Sequence, residues 1–224
     1  TGDLDSYSIG IGGGLLSGGQ RWLGCKVASL VLTSGPDAGA QRLAAAFTLQ
    51  GKDYETTPSV GADTLNSYSP AVGYMHHQGT LTLGTSSGSA DATVTDFTMT
   101  FTNNLDVGNG TGTYPQWITY TGRTVTCDVT ILYADDKFIN AFESANSISG
   151  PTPCRLKMEY KEGVQGQSPT VGKTLTLDML TNVVVTGFEV QNPLSGMALA
   201  NMSFTALLDT ANGDNDFSAA ESDS

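Results

Sequence analysis

Two segments of the chain alternate between apolar and polar residues with a period of two. In residues 94–102 phenylalanine and methionine alternate with aspartate and threonine, and in residues 124–133 valine, cysteine and isoleucine alternate with threonine and aspartate. Because successive side chains of a strand point to opposite faces, each segment predicts a strand with one buried and one polar face. Asn103 and Asn104 follow the first segment and predict a break, since asparagine tolerates turn conformations.

The segment after the second strand has a different period. Residues 135–146 predict one short helix, because their apolar residues fall on one helical stripe and Asp135 and Asp136 suit a helix N-terminus. Alternation then returns, and further strands are predicted at residues 155–162, 173–180 and 198–208.

The composition predicts an all-β chain with that single helix. With 27 glycines and only 14% charged residues among 224, short strands joined by tight turns are favoured, and one domain is expected at residues 21–210. Residues 1–20 are glycine-rich and predict a flexible arm, and residues 33–73 predict long loop excursions. Residues 211–224 predict a mobile acidic tail.

The charge of the chain excludes one class of partner. The formal net charge is −12, and seven acidic residues but no basic residue follow Lys173. Gripping DNA by its phosphates needs clustered lysine and arginine, so a DNA-binding surface is not expected.

Cys25, Cys127 and Cys154 cannot all pair, and we expect reduced thiols, as in a reducing cytoplasm. The chain has no apolar run of about 18 residues, so no membrane insertion is expected.

The sequence carries no convergent set of catalytic residues. Only His76 and His77 could act as an imidazole base, and as neighbours on a strand they would point to opposite faces. The glycine run at residues 10–14 lacks the third glycine of a dinucleotide fingerprint. Residues 212–216 resemble a calcium loop, but Phe217 stands where the loop needs glycine. We therefore predict no catalytic residue, cofactor or metal site, and a protein that is not an enzyme.

Four segments in a fixed order carry a family resemblance. They are an aromatic and threonine-rich strand at residues 95–104, a strand at 122–130 after a Tyr-Pro loop, a helix at 137–142 and a carboxyl-terminal strand at 202–209. This order resembles the tail tube protein, or major tail protein, of long-tailed bacteriophages with non-contractile tails. The resemblance implies a β-sandwich or barrel with a flanking helix, whose subunits form hexameric rings that stack into a hollow tube.

The same resemblance implies the partners and the location of the protein. The subunit would bind copies of itself and, at the tube ends, other tail proteins. Double-stranded DNA would pass through the lumen during genome ejection without specific binding. The protein would be part of the virion tail and would assemble in the host cytoplasm.

Acidic residues on the polar strand faces are the candidates for a channel wall. Like charges repel, and an acidic wall offers DNA no gain from counterion release, so the polyanion would slide without sticking. The candidates lie opposite the apolar residues of their strands: Asp96, Asp128 and Glu159.

An aromatic cluster in the loop region between the first two strands is a candidate contact surface. We interpret Tyr114, Trp117 and Tyr120 as a subunit-contact loop. With Trp22 they could instead form a sugar platform, so a secreted carbohydrate-binding β-sandwich is the alternative from a different class. A phage head-decoration or fibre module is the alternative within phage biology. Assembly into rings or tubes distinguishes the tube protein from both.

Overall fold

The computed structural model consists of strands in nearly all of the residues that it describes. Those residues are 5–11, 19–35, 42–57, 74, 79–85, 88–133, 139–140, 143, 154–161, 173–191, 198–206 and 217–223. The strands are β1 (Tyr7–Ile11), β2 (Gly19–Ser34), β3 (Ala44–Gln50), β4 (Asp53–Thr57), β5 (Thr80–Thr85), β6 (Gly88–Gly108), β7 (Trp117–Leu132), β8 (Cys154–Lys161), β9 (Lys173–Gln191), β10 (Leu199–Ala206) and β11 (Phe217–Asp223).

The all-β prediction is confirmed, and the predicted strands correspond to β6, β7, β8, β9 and β10. The described strands form one hydrogen-bonded sheet, in which β1, β3, β4 and β11 each pair with one other strand. Of the predicted helix, only Ile139, Asn140 and Glu143 are described, so the helix stays a prediction.

The chain divides into two compact units. Unit 1 comprises Thr1–Leu30, Ala46–Ala71 and Phe101–Arg123, and unit 2 comprises the remaining residues. The long strands β2, β6 and β7 contribute residues to both.

Unit 2 contains most of the buried apolar side chains. Its neighbouring strands run in the order β6-β5-β8-β9-β10-β7, and β6 and β7 also pair with each other. The rings of Phe97 and Tyr160 are both fully buried and meet edge to face at 6.0 Å between centroids. Each large side chain buried in this way stabilises the fold by about 1.5–3 kcal/mol. On β10 the alternation predicted from the sequence is confirmed, because Ala200, Met202 and Phe204 are buried.

Unit 1 is built around the first part of β2, which pairs antiparallel with β1 and with β4. Gly24 interrupts the regular strand with a φ of 60°. The amide of Lys52 donates to the carbonyl of Leu23 at 3.0 Å, which joins the turn between β3 and β4 to β2. The rings of Trp22 and Tyr54 lie 6.4 Å apart on these paired strands.

Several described strands lie within segments that the sequence assigned to arms and loops. Strand β1 lies within the predicted flexible arm, and β3 and β4 lie within the predicted loop excursions. Strand β11 lies within the predicted mobile tail and pairs with β9 from Phe217 to Asp223. These strands are short and glycine-, alanine- or acid-rich, so their own sequences signal a strand weakly. Backbone hydrogen bonds to a neighbouring strand supply the order instead.

The predicted break at Asn103 and Asn104 is wrong. Strand β6 runs without interruption from Gly88 to Gly108. The side chain of Asn103 donates through Nδ2 to the carbonyl of Val27 at 2.8 Å, so its polar group is bonded within the sheet. An asparagine whose amide is satisfied in this way does not need a turn.

Candidate assembly surfaces

A polar groove of about 330 Å³ lies on unit 2 along β6, β7 and β10. Asp96 from β6 and Asp128 from β7 both line it and are exposed to solvent. Their strand neighbours Phe97 and Cys127 point to the opposite face and are fully buried. The alternation predicted from the sequence therefore brings two of the three candidate acids to one surface.

Hydrogen bonds across the strands fix the side chains of this groove. The hydroxyl of Ser203 donates to Oδ1 of Asp128 at 2.6 Å, and the hydroxyl of Thr130 donates to Oδ1 of Asn201 at 2.9 Å. A hydroxyl bound to a carboxylate at this distance is a strong, charge-assisted hydrogen bond. Among the described residues that line the groove, Asp96 and Asp128 are the charged ones, and no lysine or arginine is present.

The third candidate acid, Glu159, lies elsewhere on unit 2. It belongs to β8, which pairs with β5 and β9, and it does not line the groove. Lys157 is on the same face of β8, and its Nζ lies 2.8 Å from Oε1 of Glu159. The ion pair offsets the negative charge that the sequence assigned to this position.

The aromatic cluster lies on the β6–β7 hairpin of unit 1. The amide of Gln116 donates to the carbonyl of Gly108 at 2.8 Å and closes the hairpin, and Gly110 has a φ of 52° in the turn. Tyr114 is 53% exposed and Trp117 is 47% exposed, whereas Tyr120 is half-buried. The indole of Trp117 lies directly over Gly108, where a Cβ atom would collide with it.

Strand β3 is a surface that sequence reasoning missed. All of its residues from Ala44 to Leu49 are exposed, so side chains on both of its faces meet solvent. Phe47 is 62% exposed, the largest value among the exposed large hydrophobic residues of the described chain. Three alanines and one phenylalanine among its seven residues favour burial, and no pattern in the sequence indicates this exposure.

Exposed large hydrophobic residues are concentrated on unit 1. Such residues in the described chain are Tyr7, Phe47, Leu49, Tyr54, Val107, Tyr114, Trp117 and Val190, and Val190 alone belongs to unit 2. A concentration of exposed large apolar residues is typical of a site of protein–protein contact. Unit 1 therefore carries the surface best suited to bind another protein.

The described residues offer little chemistry besides these surfaces. They contain no group of three or more histidine, cysteine or acidic residues that could hold a metal ion. The thiols of Cys25 and Cys127 are free and buried, and burial raises the pKa of both. His76, His77 and residues 212–216 lie outside the described residues. No helix in the described chain has the length and apolar character of a membrane span.

Comparison with known proteins identifies the family. No curated protein matches the chain. The model of the family described as phage tail tube protein matches residues 13–161, which is well over half of the 224 residues. The matched residues include strands β3 and β4, the β6–β7 hairpin and the two groove acids Asp96 and Asp128. The chain belongs to the phage tail tube protein family.

Proposed function

We propose that this structural tail tube protein assembles into hexameric rings that stack into a hollow tube, the conduit for genome ejection. The observation that carries the proposal is the concentration of exposed large hydrophobic side chains on unit 1 of a family member whose unit 2 is well packed. Burying such surface between copies would supply the driving force for assembly.

In the assembled tube, Asp96 and Asp128 face the lumen. The support for this role is their shared groove, which lacks basic residues in the described lining and holds Asp128 by the hydroxyl of Ser203. A fixed negative wall repels the phosphates of passing DNA and leaves no counterion gain for binding. Glu159 contributes less to the wall, because Lys157 neutralises it.

The hairpin residues Tyr114, Trp117 and Tyr120 form a contact between subunits. Aromatic side chains with an apolar body and a polar tip are enriched at such contacts. The exposure of Tyr114 and Trp117 supports the role, and the closed hairpin holds them at a fixed place. Other tail proteins bind at the tube ends, and the tube is part of the virion after assembly in the host cytoplasm.

The proposal also includes the finer architecture predicted from the sequence. Residues 21–210 form one β-sandwich or barrel domain with a short helix at 135–146. The support is the pairing of β6 with β7, which joins the two ends of the strand order in unit 2. Side chains such as Leu81, Leu83 and Ile131 are fully buried, as a second layer of side chains requires.

Negative-stain electron microscopy of the purified chain tests the assembly. We expect rings and tubes with six-fold end views as the protein concentration rises. A chain that stays monomeric at every concentration would refute the proposal.

The lumen role is tested separately with a charge-reversed phage. Asp96→Lys combined with Asp128→Lys should preserve tubes but slow DNA ejection, because lysine binds phosphate. Asp5→Lys on unit 1 is the matched control, because Asp5 is exposed and does not line the groove. Unchanged ejection by the groove variant would remove Asp96 and Asp128 from the channel wall.

A further inference from the structure

We propose that strands β3 and β4 of one copy bind the β6–β7 hairpin of a second copy, in a head-to-tail contact. This inference rests on the proposed function, since self-assembly supplies the second copy. Both halves of the contact lie on unit 1, and we call them the edge surface and the hairpin surface.

The edge surface consists of Phe47, Leu49 and Tyr54 with the backbone of their strands. Strands β3 and β4 each pair with β2, and their second edge has no partner among the described strands. Phe47 is 62%, Tyr54 42% and Leu49 40% exposed. An exposed apolar strand with an open edge is a template for pairing, which soluble proteins normally block. Here neither a proline nor a charged residue lies within β3.

The hairpin surface consists of Val107, Tyr114 and Trp117. Strand β10 pairs with β7 only from Val125 to Leu132, so the part of β7 that follows Trp117 pairs with β6 alone in the described chain. This surface therefore combines exposed aromatic side chains with a second open strand edge. Tyrosine and tryptophan in such positions are the residues that most often dominate binding energy.

The two surfaces are suited to each other rather than each to itself. An open strand edge is satisfied by another strand edge, and each surface supplies one. Lys52 and Asp53 are both exposed beside the edge surface, and Lys52 offers a charge of opposite sign to the exposed Asp106 of the hairpin. A contact between two different surfaces repeats from copy to copy, and so it forms a ring or a filament. A contact of one surface with itself would stop at a dimer.

Two variants, each blocked on one surface, test the contact. The edge variant carries Phe47→Asp and Leu49→Asp, and the hairpin variant carries Val107→Asp and Tyr114→Asp, which leaves Trp117 on Gly108. Val190→Asp is the matched control, because Val190 is 40% exposed but lies on unit 2. Circular dichroism and thermal unfolding establish that each variant folds.

We expect each variant alone to need at least about tenfold more protein for assembly, as loss of a dominant contact residue predicts. Mixed in equal amounts, the variants retain one intact edge surface and one intact hairpin surface. Analytical ultracentrifugation should therefore show a dimer of the two variants and nothing larger. The control should assemble like the wild type.

The outcomes separate this contact from the proposed function. Wild-type tubes together with normal assembly by either variant would overturn the contact and leave the tube function intact. A mixture that stays monomeric would overturn the head-to-tail arrangement. A wild-type chain that never assembles would overturn both. If the aspartates prevent folding, Phe47→Ser and Tyr114→Ser replace them, and the same mixture is measured.

Discussion

Arg123 donates a hydrogen bond through Nε to Oδ1 of Asn103 at 3.0 Å, and this bond ties β7 to β6. Asn103 donates in turn through Nδ2 to the carbonyl of Val27 on β2 at 2.8 Å. One amide side chain therefore links three strands of unit 1. The same residue that predicted a break in the sequence holds β6 in the sheet.

Replacing Asn103 should weaken unit 1 more than replacing its partner. Asn103→Ala removes both hydrogen bonds and leaves the carbonyl of Val27 without this donor, so the free energy of unfolding should fall by about 1–2 kcal/mol. Arg123→Ala removes only the more exposed bond and should cost about 0.5 kcal/mol. Denaturant unfolding measures both values. Equal effects of the two variants would show that the bond to Val27 contributes nothing.

Alanine at Gly24 should be destabilising, whereas alanine at the nearby Gly51 should be tolerated. Gly24 has a φ of 60°, and a Cβ atom there would lie 3.1 Å from Cβ of Lys52. Left-handed backbone strain and this close approach together should lower the free energy of unfolding by about 1–2 kcal/mol. At Gly51 a Cβ atom would meet Sγ of Cys25 at 3.5 Å, an ordinary contact. Thermal unfolding of both variants tests the difference, and similar melting temperatures would contradict it.

Alanine at Gly108 should displace the indole of Trp117, because a Cβ atom would occupy the same space. The chain has two tryptophans, so Trp22→Phe makes the fluorescence report on Trp117 alone. In that background Gly108→Ala should shift the emission to longer wavelength as the indole enters water. Gly122→Ala is the control, since its Cβ would approach only Nδ2 of Asn104, at 3.8 Å. An unshifted spectrum for Gly108→Ala would contradict the contact.

Alkaline solution should destabilise the fold through two buried acids of unit 2. Burial, and to a lesser extent the charge of Asp128, raises the pKa of the Cys127 thiol. Burial also raises the pKa of the Tyr160 hydroxyl, although the nearby Ser34 side chain lowers it in part. In the unfolded chain these groups ionise near their usual pKa values of about 8.5 and about 10.

The sign of the effect follows from proton binding. Above those unfolded pKa values the unfolded chain binds fewer protons than the folded chain, so the free energy of unfolding falls as pH rises. Each group contributes up to about 1.4 kcal/mol per pH unit. Denaturant unfolding as a function of pH should show the decline begin above about pH 8.5. Cys127→Ala removes one ionising group, so the free energy of unfolding should fall less steeply as pH rises. An unchanged slope would show that Cys127 ionises equally in both states.

The strong strands could be predicted because their residues alternate. The pattern of Phe97, Met99 and Phe101 requires one buried face whatever lies against it, and all three are buried. The weak strands β1, β3, β4 and β11 could not be predicted, because their own sequences show little alternation and pairing with another strand orders them. The pairing of Tyr54 with Trp22 on β2 has no signature within either segment.

For the candidate sites, too, the sequence predicted one part and strand pairing decided the other. Alternation alone put Asp96 and Asp128 on polar strand faces, but strand order decided that they share a groove and that Glu159 lies with Lys157 instead.

By itself, the sequence determined the all-β class, the buried faces of the long strands and the resemblance to tail tube proteins. These follow from local alternation and from the order of segments. Only the tertiary structure decided that Phe47 and Leu49 lie exposed on an open strand while Phe97 and Phe204 are buried. The hydrophobic effect acts on all four side chains alike, and which of them has a covering layer depends on strands distant in sequence.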